Sequence, residues 1–338
     1  MKASSGTSRS SSQPSGSAGE RTVRGSVRRS GWTGSLRRSV FAALGLVLAL
    51  AVPGAAAMDV AVLLSETEGR SREFMDALDG ALRPGKHRLS AAGVASATPA
   101  AEMLARAELV LAVGLPAAER ALRDSTRPVL AVLVGERDIA RLRQAHPGRG
   151  LGAVVLDQPL ERYMRLVRAV LPDAQRVGVL LGPDSRVLIN GLVPAAGAVR
   201  LQLGVQQVSA LSELVPALDT LLFEGGALLP LPDSFVSGPA AARTILLTSY
   251  RHRSPVFAHS AAYVTAGALA AVFSTPEHIA ADVAELLGSA TDPAAVVRKV
   301  RHPRRFGVAV NRAVARALGL VVADEQVLRE RVAQGASE

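Results

Sequence analysis

The sequence predicts an α/β protein built as two lobes, and three observations carry that reading. From Asp59 onward, short apolar runs of strand length alternate with segments of helical period. The runs are apolar throughout rather than alternating, as strands of a parallel sheet covered on both faces must be. The chain has 338 residues, more than one ordinary core holds and a comfortable length for two.

The strand-like runs are Val60–Leu64, Leu109–Val113, Val129–Val134, Ala153–Leu156, Val177–Leu181, Ala227–Leu231, Val256–Ala258, Ala268–Phe273 and Gly307–Val310. Between them, single apolar stripes mark helices that each cover one sheet face. Phe74, Ala77, Leu78, Ala81 and Leu82 form one stripe. Leu160, Tyr163, Met164, Val167, Val170 and Leu171 form a second, and Leu214, Val215, Leu218, Leu221 and Leu222 a third. Punctuation agrees: Pro172 follows a helix end, Thr275-Pro276-Glu277 reads as an N-cap with proline at the first helical position, and Asn311 and Gly319 bracket a short helix. Val60–Ser65 and Val177–Gly182 echo one another, as equivalent strands of two similar lobes would. With apolar residues at 49% and aromatics at 3%, the cores must be built from Ala, Val and Leu.

The head of the chain reads differently. Residues 1–35 are Ser, Gly and Arg with little to bury, a composition that cannot offset the entropy of ordering. Arg37-Arg38, the apolar run Val40–Val52, Pro53-Gly54 and Ala55-Ala56-Ala57 then read as a secretory signal cleaved after about Ala57. Thirteen apolar residues fall short of the ~20 that span a bilayer as a helix. An uncleaved anchor or a core helix is the alternative, and Arg37-Arg38-Ser39-Val40-Phe41 resembles a twin-arginine signal with its phenylalanine one place late. The formal charge of +10 is concentrated here: residues 1–57 carry eight Lys or Arg against one acid, leaving 31 basic and 28 acidic residues for the rest. A near-neutral body argues against a nucleic-acid surface. The chain has no cysteine, which removes thiolate chemistry, cysteine metal sites and a lipoprotein anchor.

In open parallel sheets, ligands bind at the carboxyl ends of strands, where loops turn into helices. The candidates there are Ser65 and Glu66, Gly114 and Leu115, Asp157, Asp184 and Ser185, Asp233 and Ser234, and Ser260 with Tyr263. Hydroxyls and free N–H groups at helix starts suit a carboxylate, while Asp157, Asp184 and Asp233 suit an ammonium. Asp and Ser after a strand are equally ordinary helix caps, so each of these residues has a structural reading beside the functional one. No nucleotide-binding glycine loop, nucleophile elbow or zinc-protease motif is present. The six histidines are scattered, with no pair at metal-ligand spacing on one helical face, and a Ser260–His259 pair lacks an orienting acid nearby in sequence. No catalytic residue, cofactor or metal is therefore predicted.

Several segments, taken in order, resemble a known family. They are Leu156-Asp157-Gln158-Pro159, Leu171–Leu180, Leu231-Pro232-Asp233, Ile245–Arg251, Ala261–Leu269, Val308–Arg312 and Ala317–Leu320. The sequence is similar to the ABC-transporter substrate-binding-protein-like family of type I periplasmic binding proteins, some of whose members bind aromatic amino acids. The likeness runs from about Asp59 to about Leu328. It implies two Rossmann-like lobes joined by a hinge that the chain crosses three times, near Leu156, Tyr263 and Phe306. Lobe 1 would be residues 58–156 and 264–298, lobe 2 residues 157–263 and 299–332, and 333–338 a flexible tail after the 1–57 leader. It also implies that Ser65 and Gly114 from one lobe, Asp184, Ser185, Asp233 and Ser234 from the other, and Ser260 and Tyr263 near a crossing line the cleft. Leu115 departs from the pattern, standing where relatives carry a small hydroxyl residue, and the few aromatics leave the ligand's nature open.

The resulting expectation is a non-enzymatic periplasmic protein that captures a small molecule, an amino acid or similar carboxylate, and delivers it as a monomer to an ABC permease of the inner membrane. A ligand-sensing accessory protein of the same fold is the alternative. An exported hydrolase using the same cleft is a third reading.

Overall fold

The computed structural model describes residues 58–82, 87–97, 101–223, 225–290 and 292–334. The expected leader and signal, the cleavage site and most of the expected tail lie outside the described residues. Among the described residues, no helix is long and apolar enough to cross a membrane.

Two sheets organise the chain. In the first, β1 (Met58–Leu64), β2 (His87–Val94), β3 (Leu109–Val113), β4 (Val129–Val132), β5 (Leu151–Val154) and β11 (Val300–Arg301) take the order β11-β5-β4-β3-β1-β2, with every pairing parallel. The second comprises β6 (Arg176–Leu181), β7 (Gln202–Gln207), β8 (Ala227–Pro230), β9 (Phe257–Ala258), β10 (Ala270–Phe273) and β12 (Gly307–Val310). It is assembled from β7-β6-β8 and β9-β10-β12, joined by a bridge between Leu228 and Val256. β1 and β6, the two strands with echoing sequences, occupy the same place, each second from the edge.

Helices cover both faces of each sheet. α1 (Gly69–Ala81), α2 (Ala101–Arg106), α3 (Leu115–Asp124), α4 (Glu136–Ala145), α10 (Pro276–Ser289) and α11 (Pro293–Val297) flank the first. α5 (Leu160–Val170), α6 (Ile189–Ala198), α7 (Leu211–Leu222), α8 (Pro239–Arg251), α9 (Ala261–Ala266), α12 (Arg312–Ala317) and α13 (Glu325–Gln334) flank the second. Strand residues divide cleanly between the two faces. Leu109, Leu111 and Val113 pack with Phe74, Leu78, Ile279 and Val283, while Val110 and Ala112 pack with Ala118, Leu122 and Ile139. In the second sheet, Val177, Val179 and Leu181 meet Met164, Val167 and Leu192, and Leu180 meets Leu214 and Leu218 on the other side. This two-sided burial is the reason for the continuous apolar runs.

Thr275 and Asn311 cap α10 and α12 through their side chains, and Gly319 follows α12 with a positive φ of 70°, as the punctuation predicts. Three strands, β2, β7 and β11, were not predicted from the sequence. Gly307–Val310, predicted as one of the parallel runs, pairs antiparallel with β10, because the chain enters the second sheet from the opposite end after its last crossing.

The chain passes between the sheets three times. The first passage follows β5 at Leu156–Pro159. The second lies at Ser274-Thr275 rather than near Tyr263: Ala270–Phe273 is held in the second sheet by β9 and β12, and α10 then packs on the first. Residues 264–273, expected with the first lobe, therefore belong with the second sheet, 264–266 in a helix packed on it and 270–273 as its strand β10. Val300-Arg301, expected with the second lobe, pairs with β5 in the first, and the third passage is His302–Phe306.

Candidate functional site

The strands of each sheet end in loops that gather around the first two crossings. A cavity of about 630 Å³ opens there. Arg70 and Gly135 border it from the first sheet, Pro232, His259 and Ser260 from the second, and Leu156, Asp157, Ser274 and Thr275 from the crossings. A smaller cavity of about 280 Å³ lies beside it, bordered by Glu136, Glu161, Leu188 and His302. The two share Asp157, Tyr163 and Pro232.

The candidate residues divide into those that border these cavities and those that hold the surrounding loops. Asp157 and Ser260 border the larger cavity. Both also cap helices: Asp157 Oδ2 accepts from the Glu136 N–H at 2.6 Å, at the start of α4, and Ser260 Oγ accepts from the Tyr263 N–H at 3.3 Å, at the start of α9. Asp157 thus ties the first crossing to the helix that follows β4.

Ser65 reaches across to another helix. Its Oγ accepts from the Ala117 N–H at 3.1 Å, supplying to α3 the cap that its own N-cap residue, Gly114, has no side chain to give. Gly114 has φ 91°, and a Cβ there would fall 2.4 Å from Ser65 Oγ. The glycine is what lets the serine approach. Leu115 opens α3 and packs partly on the core, and Glu66 is exposed.

On the second sheet, Asp233 is consumed by the protein itself. It is 6% exposed. Its Oδ2 accepts from the N–H of Asp184 at 2.8 Å, the N–H of Ser185 at 2.9 Å and the Ser185 hydroxyl at 3.0 Å. Its Oδ1 accepts from the N–H of Phe235 at 2.9 Å and of Val236 at 3.3 Å. Burial pushes the carboxyl upward, but the backbone donors outweigh it and hold it below the usual carboxylate range. Gly182 makes room, since a Cβ there would lie 2.1 Å from Asp233 Oδ1, and its N–H donates to Ser185 Oγ at 2.9 Å. Asp233 and Ser185 thus brace the loops after β6 and β8 and border neither cavity. Asp184 accepts from the Ser234 N–H at 3.1 Å and from the Ser234 hydroxyl, and pairs with Arg137 of α4.

Tyr263 is buried and borders neither cavity, and its hydroxyl has no hydrogen-bond partner among the described residues. His259 stacks edge-on against it at 5.8 Å between ring centres and approaches Ser237 Oγ at 3.4 Å. Burial lowers His259 to about 4, so its ring is neutral at physiological pH.

Sequence reasoning passed over Arg70, Tyr163, His259, Ser274, Thr275 and His302 as site residues. Tyr163 and Thr275 carried clear structural signals, a helical stripe and an N-cap, which masked their place on the cavity. Arg70 stands in the first turn of α1, just past the loop after β1, with no pattern of its own, and His302 reaches the site only through the third crossing. Among the described residues, no group of three or more His, Asp or Glu could hold a metal ion.

A parallel sheet and a mostly parallel one, whose parallel strands point their carboxyl ends at a common cavity and which are joined by chain crossings, have the architecture of type I periplasmic binding proteins, and solved structures agree. The ligand-free, open structure of a substrate binding protein with adhesive properties from Clostridium difficile has a TM-score of 0.58 at 16% identity, covering 80% of this chain and 97% of that one. An ABC domain in complex with L-Trp from Streptococcus pneumonia has a TM-score of 0.51 at 17% identity, covering 80% and 98%. A conserved domain protein from Vibrio cholerae has a TM-score of 0.50 at 19% identity, covering 81% and 98%. No curated relative matches the sequence. The model of the ABC transporter substrate binding protein family matches residues 94–331, and the chain belongs to that family.

Proposed function

We propose that the protein works outside the cytoplasmic membrane as a two-lobed capture device, closing on a small solute in the 630 Å³ cavity and presenting it to an ABC permease. The observation that carries this reading is the position of the cavity, where loops at the carboxyl ends of both sheets meet the first two crossings. A solute there touches both halves and favours whichever arrangement brings them together.

The bordering groups favour a small carboxylate, an amino acid among the candidates. Arg70 offers a guanidinium, Ser260, Ser274 and Thr275 offer hydroxyls, and Asp157 offers a carboxylate to an amine. The neighbouring ABC domain bound to L-Trp fits a solute of this kind. The leader, with its basic flank, apolar run and Ala55-Ala56-Ala57, supports export. Nothing in this scheme breaks a bond, so we read the protein as non-enzymatic.

Thermal-shift screening of the purified protein against amino acids, other small carboxylates and sugars tests the reading. A solute at ~100 times its Kd adds about 2.7 kcal/mol and raises Tm by several degrees. Absence of stabilisation by every class would overturn it. Cell fractionation and solute uptake with and without the protein test export and delivery.

A further inference from the structure

We propose that Arg137 is a positioning residue for closure, acting as a charged latch that joins the two halves through Asp184. Arg137 stands in the first turn of α4, the helix after β4 of the first sheet. Asp184 lies in the loop after β6 of the second. Their side chains form an ion pair between segments that belong to different sheets.

Three features argue that this contact is built for closure. A cation in the first turn of a helix opposes the helix dipole, so Arg137 is misplaced for helix stability alone. The acids on either side of it have other partners: Asp138 pairs with Arg141 at 3.0 Å, and Glu136 faces His302 at 3.7 Å. Arg137 therefore meets its counterion across the groove. Finally, the Asp184 side chain is only 9% exposed, while that of Arg137 is 58% exposed. A carboxylate so nearly buried is costly without a cation beside it. Separating the halves returns it to water, whereas closing them without Arg137 leaves it dry and unpaired but for Ser234.

The geometry of α4 links the latch to the cavity. Glu136, next to Arg137 in the chain, donates its N–H to Asp157, which borders both cavities. Contact made at Asp157 and contact made at Asp184 therefore position the same helical turn.

The test uses the full chain without any added solute. Because the protein has no cysteine, Gln144→Cys on α4 and Asn190→Cys on α6 place two spin labels on exposed positions of opposite halves. Distances between them are measured by pulsed electron resonance in the otherwise unchanged protein, in Arg137→Gln, in Asp184→Asn, in the double variant and in Arg137→Lys.

The latch predicts that Arg137→Gln and Asp184→Asn each raise the share of the longer, open distance about two- to fivefold. The double variant should go little further than either single one, because both remove the same contact. Arg137→Lys should lie near the parent protein, and 1 M salt should move the parent toward the variants. Unchanged distances in both single variants, or additive effects in the double, would overturn the proposal. Thermal melts confirm that each variant is folded. Since no solute enters the measurement, a negative result here leaves the capture reading standing, and a failed solute screen leaves the latch standing.

Discussion

The Gln158 amide donates from Nε2 to Ser274 Oγ at 3.0 Å, joining the first chain crossing directly to the second. Ser274 in turn donates to the Arg305 carbonyl at 2.6 Å, bringing in the third. Arg162 donates to Gln158 Oε1 and to the Pro303 carbonyl at 2.9 Å, with its guanidinium 4.2 Å from the centre of the Phe306 ring. Burial lowers Arg162 to about 10, which leaves it charged at neutral pH. Gln158 itself is 3% exposed, so the bond at the middle of this chain is buried while its outer bonds are partly so, and together they tie all three strands of the hinge.

Gln158→Ala should therefore cost about 1–3 kcal/mol, the penalty for leaving buried partners unmatched. Denaturant unfolding of the variant and of Ser274→Ala measures it. The two substitutions should be less than additive, since each breaks the same bond.

Gly114→Ala should destabilise by about 1–3 kcal/mol, because the residue needs a positive φ and the new methyl strikes Ser65 Oγ. Ser65→Ala alone should cost about 0.5–2 kcal/mol through loss of the cap on α3. Combining them removes the contact with Oγ but leaves the position 65 Cβ 2.9 Å from the new methyl and the backbone strained, so the double variant should recover only part of the sum in a thermal melt.

Asp233→Asn should cost about 2–3 kcal/mol at pH 7, since an amide replaces a carboxylate that accepts four backbone N–H groups and a hydroxyl. Its folded pKa lies below the unfolded value of about 3.9, so its contribution is present above that pH and fades as pH falls through the folded pKa. The Tm gap between parent and variant should shrink when both are melted below about pH 4.

His259 has the same sign of shift with different chemistry. With a folded value of about 4 against about 6.5 unfolded, the unfolded chain binds more protons between those limits, so stability should rise with pH across that window. His259→Asn should flatten the rise, as read from denaturation midpoints at half-unit pH steps.

What the sequence revealed depended on burial. Every strand covered on both faces announced itself as an apolar run, and Leu109–Val113 was read to the residue. The three strands that escaped, His87–Val94, Gln202–Gln207 and Val300-Arg301, are all edge strands, and Gln202–Gln207 is exposed or half-exposed along its whole length. An edge facing water on one side has no need of a continuous apolar sequence. The candidate site was legible as a set of loops but not as a division of labour. Asp157 and Asp233 both follow a strand and look alike in sequence. Only the fold shows one on the cavity and the other enclosed by amides. The crossing near Tyr263 was misplaced for a related reason: the short α9 returns the chain to the same sheet, and nothing local in Ala261–Leu269 says so.

The first sheet is completed by residues that come late. Its outer strand β11 and its covering helices α10 and α11 are encoded after nearly all of the second sheet. At synthesis rates of about 5–20 residues per second, the amino-terminal half waits several seconds for the pieces that bury Leu109, Leu111 and Leu130. A newborn chain of this design stays unfinished and threadable until its last third has emerged.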